Sequence, residues 1–126
     1  METNKNLDRI DEIFYSAIDY VEKYEKAAFL EFHKKEERRI YKKDENGILN
    51  MEPARKAAKK FANKVESGMH AKGIITTTDY EMYGDKVNKV VGMAIFSLRE
   101  EVSNEFGVDP QHIRKMARGL MHILMK

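Results

Sequence analysis

The chain contains no cysteine. Disulfides, thiolate metal centres and cysteine nucleophiles are therefore excluded. It has no tryptophan, and its two prolines and seven glycines are scattered singly along 126 residues. The sequence holds neither a glycine-rich phosphate loop nor a G-x-S-x-G elbow around a serine. No run approaches the roughly 20 apolar residues that a membrane span needs. The opening METNKNLDRIDE is polar and acidic, without the apolar stretch of a signal peptide. A cytoplasmic protein with no membrane partner is expected.

Chemistry-bearing clusters are equally scarce. The histidines are His33, His70, His112 and His122, and none belongs to an H-E-x-x-H metal-binding pattern. Carboxylates are plentiful, but none stands isolated among apolar residues, the setting that raises a pKa for acid catalysis. These patterns predict no metal, no cofactor and no catalytic site, so the chain is not expected to be an enzyme. Net charge is only +2, and local patches rather than the sum decide what the surface attracts.

What is present is helical periodicity. The length suits one domain over 1–126, and the pattern predicts a mainly α, multi-helix fold. Within 1–43, a long amphipathic helix is expected from residue 7 to about 40. Leu7, Ile10, Phe14, Ala17, Val21, Tyr24 and Ala28 alternate at spacings of three and four, with Ile13, Ile18 and Leu30 widening the stripe. Asn6 is its expected cap, with Asp8, Asp11 and Glu12 at the positive end of the helix dipole. Asp44–Gly47 is a turn signal, and a short β element is expected at most near 39–50 or 73–78.

A second, basic helix is expected over 51–67, capped by Asn50, with Pro53 in its first turn and Gly68 as its stop. Ala54, Ala58, Phe61 and Val65 are its expected buried face. Arg55, Lys56, Lys59, Lys60 and Lys64 line its outside with no acid between them. They suit a solvated face or a phosphate-contacting one. The remaining helices fall within 79–126. Thr78 and Glu81 have capping-box spacing, and Val87, Val90, Val91, Ala94 and Ile95 share one side.

Ser97–Gly119 reads SLREEVSNEFGVDPQHIRKMARG. Ser97 and Glu100 repeat the capping-box spacing, Gly107 can end a helix in the left-handed region, and Asp109–Pro110 can open the next. Ile113, Met116 and Leu120 are expected on that helix's inner face. With Ser103 four residues before the glycine, Val108 after it and Ile113 six beyond, the segment resembles the helix-turn-helix of bacterial and phage DNA-binding proteins.

The resemblance implies double-stranded DNA as partner, with the second helix in the major groove and Gln111, His112, Arg114, Lys115 and Arg118 facing the bases. The basic helix would then follow phosphates. The nearly continuous apolar C-terminal stretch predicts a homodimer, which suits half-site recognition. The competing expectation is a helical protein-interaction module: an adaptor, a small subunit or an inhibitor of a host complex. On the DNA assignment, replacing Arg114 and Arg118 with Ala weakens duplex binding without unfolding the protein. Unchanged affinity in a titration would remove it.

Overall fold

The stripe that begins at Ile10 is buried as its spacing predicts: Ile10, Phe14, Ala17 and Val21 are all at most 4% exposed, with Ile13 and Ile18 beside them. The computed structural model describes the backbone of residues 5–125 and the side chains of 9–125. The expected roles of Asn6, Leu7 and Asp8 lie outside the described side chains. Six helices follow in order: α1 (Lys5–Tyr24), α2 (Lys26–Glu37), α3 (Glu52–Ala71), α4 (Thr77–Tyr83), α5 (Lys86–Val102) and α6 (Pro110–Leu124). The described residues contain no strand. The possible β element at 39–50 is reduced to a single antiparallel bridge, Lys43 to Leu49, around the Asp44 turn. No described helix is long and apolar enough to cross a membrane.

The long N-terminal helix is broken once, at Glu25. Its backbone departs from helical geometry (φ −128°, ψ 19°), although Glu25 N–H still reaches the Val21 carbonyl and Phe29 N–H the Glu25 carbonyl. No glycine or proline marks the bend. It turns α2 so that Phe29 and Phe32 meet Phe61 of α3, the Phe32 and Phe61 rings stacking 4.9 Å apart. The expected stripe therefore stops short. Tyr24 is 46% exposed, with the Lys72 ammonium 4.3 Å from its ring.

Helix α3 starts at Glu52 with Pro53 in its first turn; Met51, not the expected Asn50, holds the cap position, and Asn50 Oδ1 accepts from Glu52 N–H at 3.1 Å from one residue further out. Its buried face is Phe61, Ala62, Val65 and Met69; Ala58, expected inside, is exposed. Gly68 is not the stop. It lies within α3 against α1, where a Cβ would come 1.9 Å from the Tyr20 hydroxyl oxygen. The stop is Gly73 at φ 75°. There Ile74 N–H returns to the Met69 carbonyl and Gly73 N–H to the His70 carbonyl, satisfying the last carbonyls of the helix. That local bonding, followed at once by the cap of α4, leaves no strand at 73–78, although Ile74 to Thr77 is β-branched. The cap itself is Thr76 with Asp79, two residues before the expected Thr78 and Glu81.

Helices α1 and α5 pack most extensively on each other, and α3 and α6 each pack on both, with no comparable packing between α3 and α6. The buried apolar residues form one cluster, to which α5 contributes Val87, Val90, Val91, Ala94, Ile95 and Leu98. Ser97 is not a cap. Helix α5 runs through it, and its fully buried hydroxyl has no hydrogen-bond partner among the described residues.

One ion pair ties the start of α1 to the cap of α4. Arg9 grips Asp79 through Nε to Oδ1 (2.8 Å) and Nη2 to Oδ2 (2.7 Å), and Nη2 also donates to the Ile74 carbonyl. Asp79 Oδ2 accepts from Thr76 N–H at 2.8 Å as well. The Arg9 guanidinium, helped by Thr76, holds the Asp79 carboxyl down to about 2. A carboxyl with a depressed folded-state pKa adds stability at pH values above its unfolded value. That contribution is lost as pH falls from about 4 to about 2. Asp79→Asn is expected to cost about 1–3 kcal/mol at neutral pH and to flatten the acid limb between pH 2 and 4. Urea unfolding at several pH values checks this, and identical acid limbs in the two proteins would refute it.

Candidate functional site

Helix α6 opens as its sequence predicts. Asp109 Oδ1 accepts from Gln111 N–H at 3.0 Å, and Pro110 occupies the first turn. Gly107 adopts φ 69° in the preceding loop. Asn104, which no sequence pattern singled out, clasps that loop: its amide donates to the Val108 carbonyl (2.6 Å) and accepts from Val108 N–H (3.1 Å). Loop 103–109 is longer than the three- to four-residue turn, roughly, of a helix-turn-helix.

The rotation of α6 differs from expectation. Ala117 and Met121 face the core, while Met116 and Leu120, expected inside, are 62% and 41% exposed. The arginines take their place. Arg114 is held by Glu101 through Nε (3.0 Å) and Nη2 (2.9 Å), and by Glu22 through Nη2 (2.6 Å). Its side chain is only 15% exposed, and the Glu101 carboxylate raises its already high pKa further. Arg118 Nη1 and His122 Nε2 share Asp11 of α1, at 3.2 and 2.6 Å.

Of the residues expected to read bases, Gln111, His112 and Lys115 are exposed, while Arg114 and Arg118 are turned to the acids of α1 and α5. The cations of α3 remain on the surface: Arg55, Lys56, Lys59, Lys60 and Lys64 are all exposed. Only Lys64 forms an ion pair with a described residue, Glu25 at 3.3 Å. The two sets sit on separate helices that do not pack on one another to any comparable degree.

The rotation leaves an apolar groove of ≈ 570 Å³ between the end of α5, loop 103–109 and α6. Phe96, Phe106, Val108, Ile113, Met116 and Leu120 line it, and Glu100 and Glu105 stand at its rim. Phe106 is 90% exposed and Ile123, one turn beyond Leu120, is 64% exposed. The near-continuous apolar character of the C-terminal stretch is legible in the sequence, whereas the exposure of Met116 and Leu120 is not.

A second polar cluster joins α2 to α5. Buried His33 accepts from Arg99 Nε at Nδ1 (3.1 Å), while its Nε2 faces Glu37 Oε1 (2.9 Å) and the Ser103 hydroxyl (3.3 Å). Those partners assign the ring proton to Nε2, which donates to Glu37. A serine nucleophile needs the unprotonated nitrogen on its own side and an acid behind the ring. Here a cation stands behind it, so the cluster clamps helices rather than activating Ser103. Among the described residues no three histidines or carboxylates converge as metal ligands.

Comparison with protein-family models, curated proteins and solved structures finds no match to this chain. The Arg114 contacts revise what its loss does. Arg114→Ala strands Glu101 beside Glu22, and it is expected to lower stability by about 1–3 kcal/mol with no nucleic acid present. A urea midpoint equal to that of the unaltered protein would show that the contact carries no weight.

Proposed function

We propose that this chain is a helical protein-interaction module that docks through the α5–α6 face. The observation that carries the reading is the row of large apolar side chains left in solvent. Phe106, Met116, Ile123 and Leu124 are each more than 60% exposed, and Phe96 and Leu120 more than 40%. Scattered single apolar residues are normal on a surface, but a contiguous apolar patch around a groove marks an interaction site. Met116 supplies a flexible, polarisable side chain of the kind that adapts to a partner. Polar residues surround the patch, as a rim surrounds an interface core.

A second reading is favoured by a different observation. Arg55, Lys56, Lys59 and Lys60 of α3, which form no ion pair with a described residue, and exposed Gln111, His112 and Lys115 at the start of α6 support contact with the phosphates of double-stranded DNA by a regulator of helix-turn-helix type. The tethering of Arg114 and Arg118 ranks it second, because those side chains must leave Glu22, Glu101 and Asp11 to reach a base.

One experiment separates the two. The protein and its Met116→Glu/Ile123→Glu variant are used as baits in a nuclease-treated lysate. A partner retained by the unaltered bait and lost with the variant supports docking through this face. Retention seen only in an untreated lysate overturns it in favour of the cationic surface, and retention that ignores the variant removes docking through this face.

A further inference from the structure

Resting on the docking reading of this face, we infer that its occupant is a second copy of the same chain, with the two α6 helices packed antiparallel. His112, Met116, Gly119 and Ile123 follow one another at spacings of four, three and four, the repeat that keeps a seam facing a partner helix. In an antiparallel pair whose twofold axis passes between residues 116 and 119, Met116 of each copy lies over Gly119 of the other. Residue 112 then lies across from residue 123. The interface is isologous, as twofold pairing requires.

Gly119 is the telling residue. Glycine is unfavourable inside a helix, and at Gly68 the chain itself supplies the reason, because Tyr20 occupies the space of a side chain. At Gly119, as at Gly92 of α5, no described atom outside the helix's own backbone lies within 4 Å of where a Cβ would stand, but only Gly119 lies on the exposed α6 seam. Nothing among the described residues fills the gap, and it sits one turn from an exposed Met116. A large side chain beside an empty position on the same seam is self-complementary: each fills the other across the axis.

Area and charge fit a copy of the same chain. Phe96, Phe106, Val108, Met116, Leu120 and Ile123 together leave roughly 600 Å² exposed, most of the ~800 Å² that each partner contributes to a standard-size interface. The rim carries both signs, Glu100 and Glu105 on one side and exposed Lys115 on the other. Two copies therefore do not confront each other with like charge, and antiparallel packing sets each positive helix N-terminus beside the partner's negative C-terminus.

The test is a size swap read by sedimentation equilibrium of the full chain. The unaltered protein is expected to be dimeric at about 100 μM, as an interface of this size supports. Gly119→Met puts two large side chains at the same seam and is expected to raise the dissociation constant roughly 100-fold. Its helical circular dichroism should persist, since its own chain leaves the position open. Met116→Ala/Gly119→Met restores one large and one small residue, and it is expected to recover the dimer. A monomeric unaltered protein, a Gly119→Met variant as dimeric as the parent, or a double variant no better than Gly119→Met each overturns the pairing. The docking reading is decided separately: an unaltered protein that is monomeric but loses a captured lysate partner with Met116→Glu/Ile123→Glu keeps this face as a docking surface and removes only the self-pairing.

Discussion

Everything else in this fold is hung on the seam between α1 and α5. Ile10, Phe14, Ala17 and Val21 on one helix and Val87, Val90, Val91 and Ala94 on the other are essentially without solvent. Full burial of each large apolar side chain is worth about 1.5–3 kcal/mol, so the pair dominates the stabilisation that conformational entropy opposes. The remaining helices are positioned by what the seam leaves uncovered. Helix α3 brings Phe61, Val65 and Met69 to it, and can lie close because Gly68 makes room for the Tyr20 hydroxyl. The Arg9–Asp79 clasp then fixes α4 beneath the start of α1.

Helix α6 is where two physical demands conflict. Its apolar stripe alone would turn Met116 and Leu120 to the core, gaining at most about 1.5–3 kcal/mol for each. That rotation would pull Arg114, Arg118 and His122 away from Asp11, Glu22 and Glu101. A largely desolvated carboxylate left without its cation costs about 3–5 kcal/mol, and Asp11 and Glu101 are only 17% and 13% exposed. The ionic demand prevails. An apolar surface is thus left over by the internal electrostatics of the fold.

The sequence was informative where structure is decided locally. The α1 stripe, Pro53 in the first turn of α3, the turn at Gly107 and the Asp109–Pro110 opening of α6 are all where their residue types put them. It was silent or misleading where the deciding partner is distant. The bend at Glu25 has no glycine or proline to announce it and follows from the aromatic contacts of α2 with Phe61. Gly68 reads as a helix stop unless Tyr20, far back in the chain, is known to need the space. Ser97 and Glu100 have the spacing of a cap, but the core contacts of Val91, Ala94, Ile95 and Leu98 carry the helix through them. For the α3 cations, local pattern and exposure agree. For Arg114 and Arg118 they diverge, because their direction is set by acids on α1 and α5 that the local pattern cannot bring near.

The Asn104 clasp has a kinetic side. Phe106 sits beside it, almost wholly in solvent, on a loop whose shape is already fixed by two side-chain bonds to Val108 and by the left-handed Gly107. A floppy loop carrying the same ring would lose backbone freedom on being covered. This one has surrendered that freedom during folding. The backbone beneath the ring is thus already set, so covering the ring costs chiefly its side-chain freedom and releases water from its faces. Encounters through this end of the molecule should accordingly be limited by orientation rather than by rearrangement.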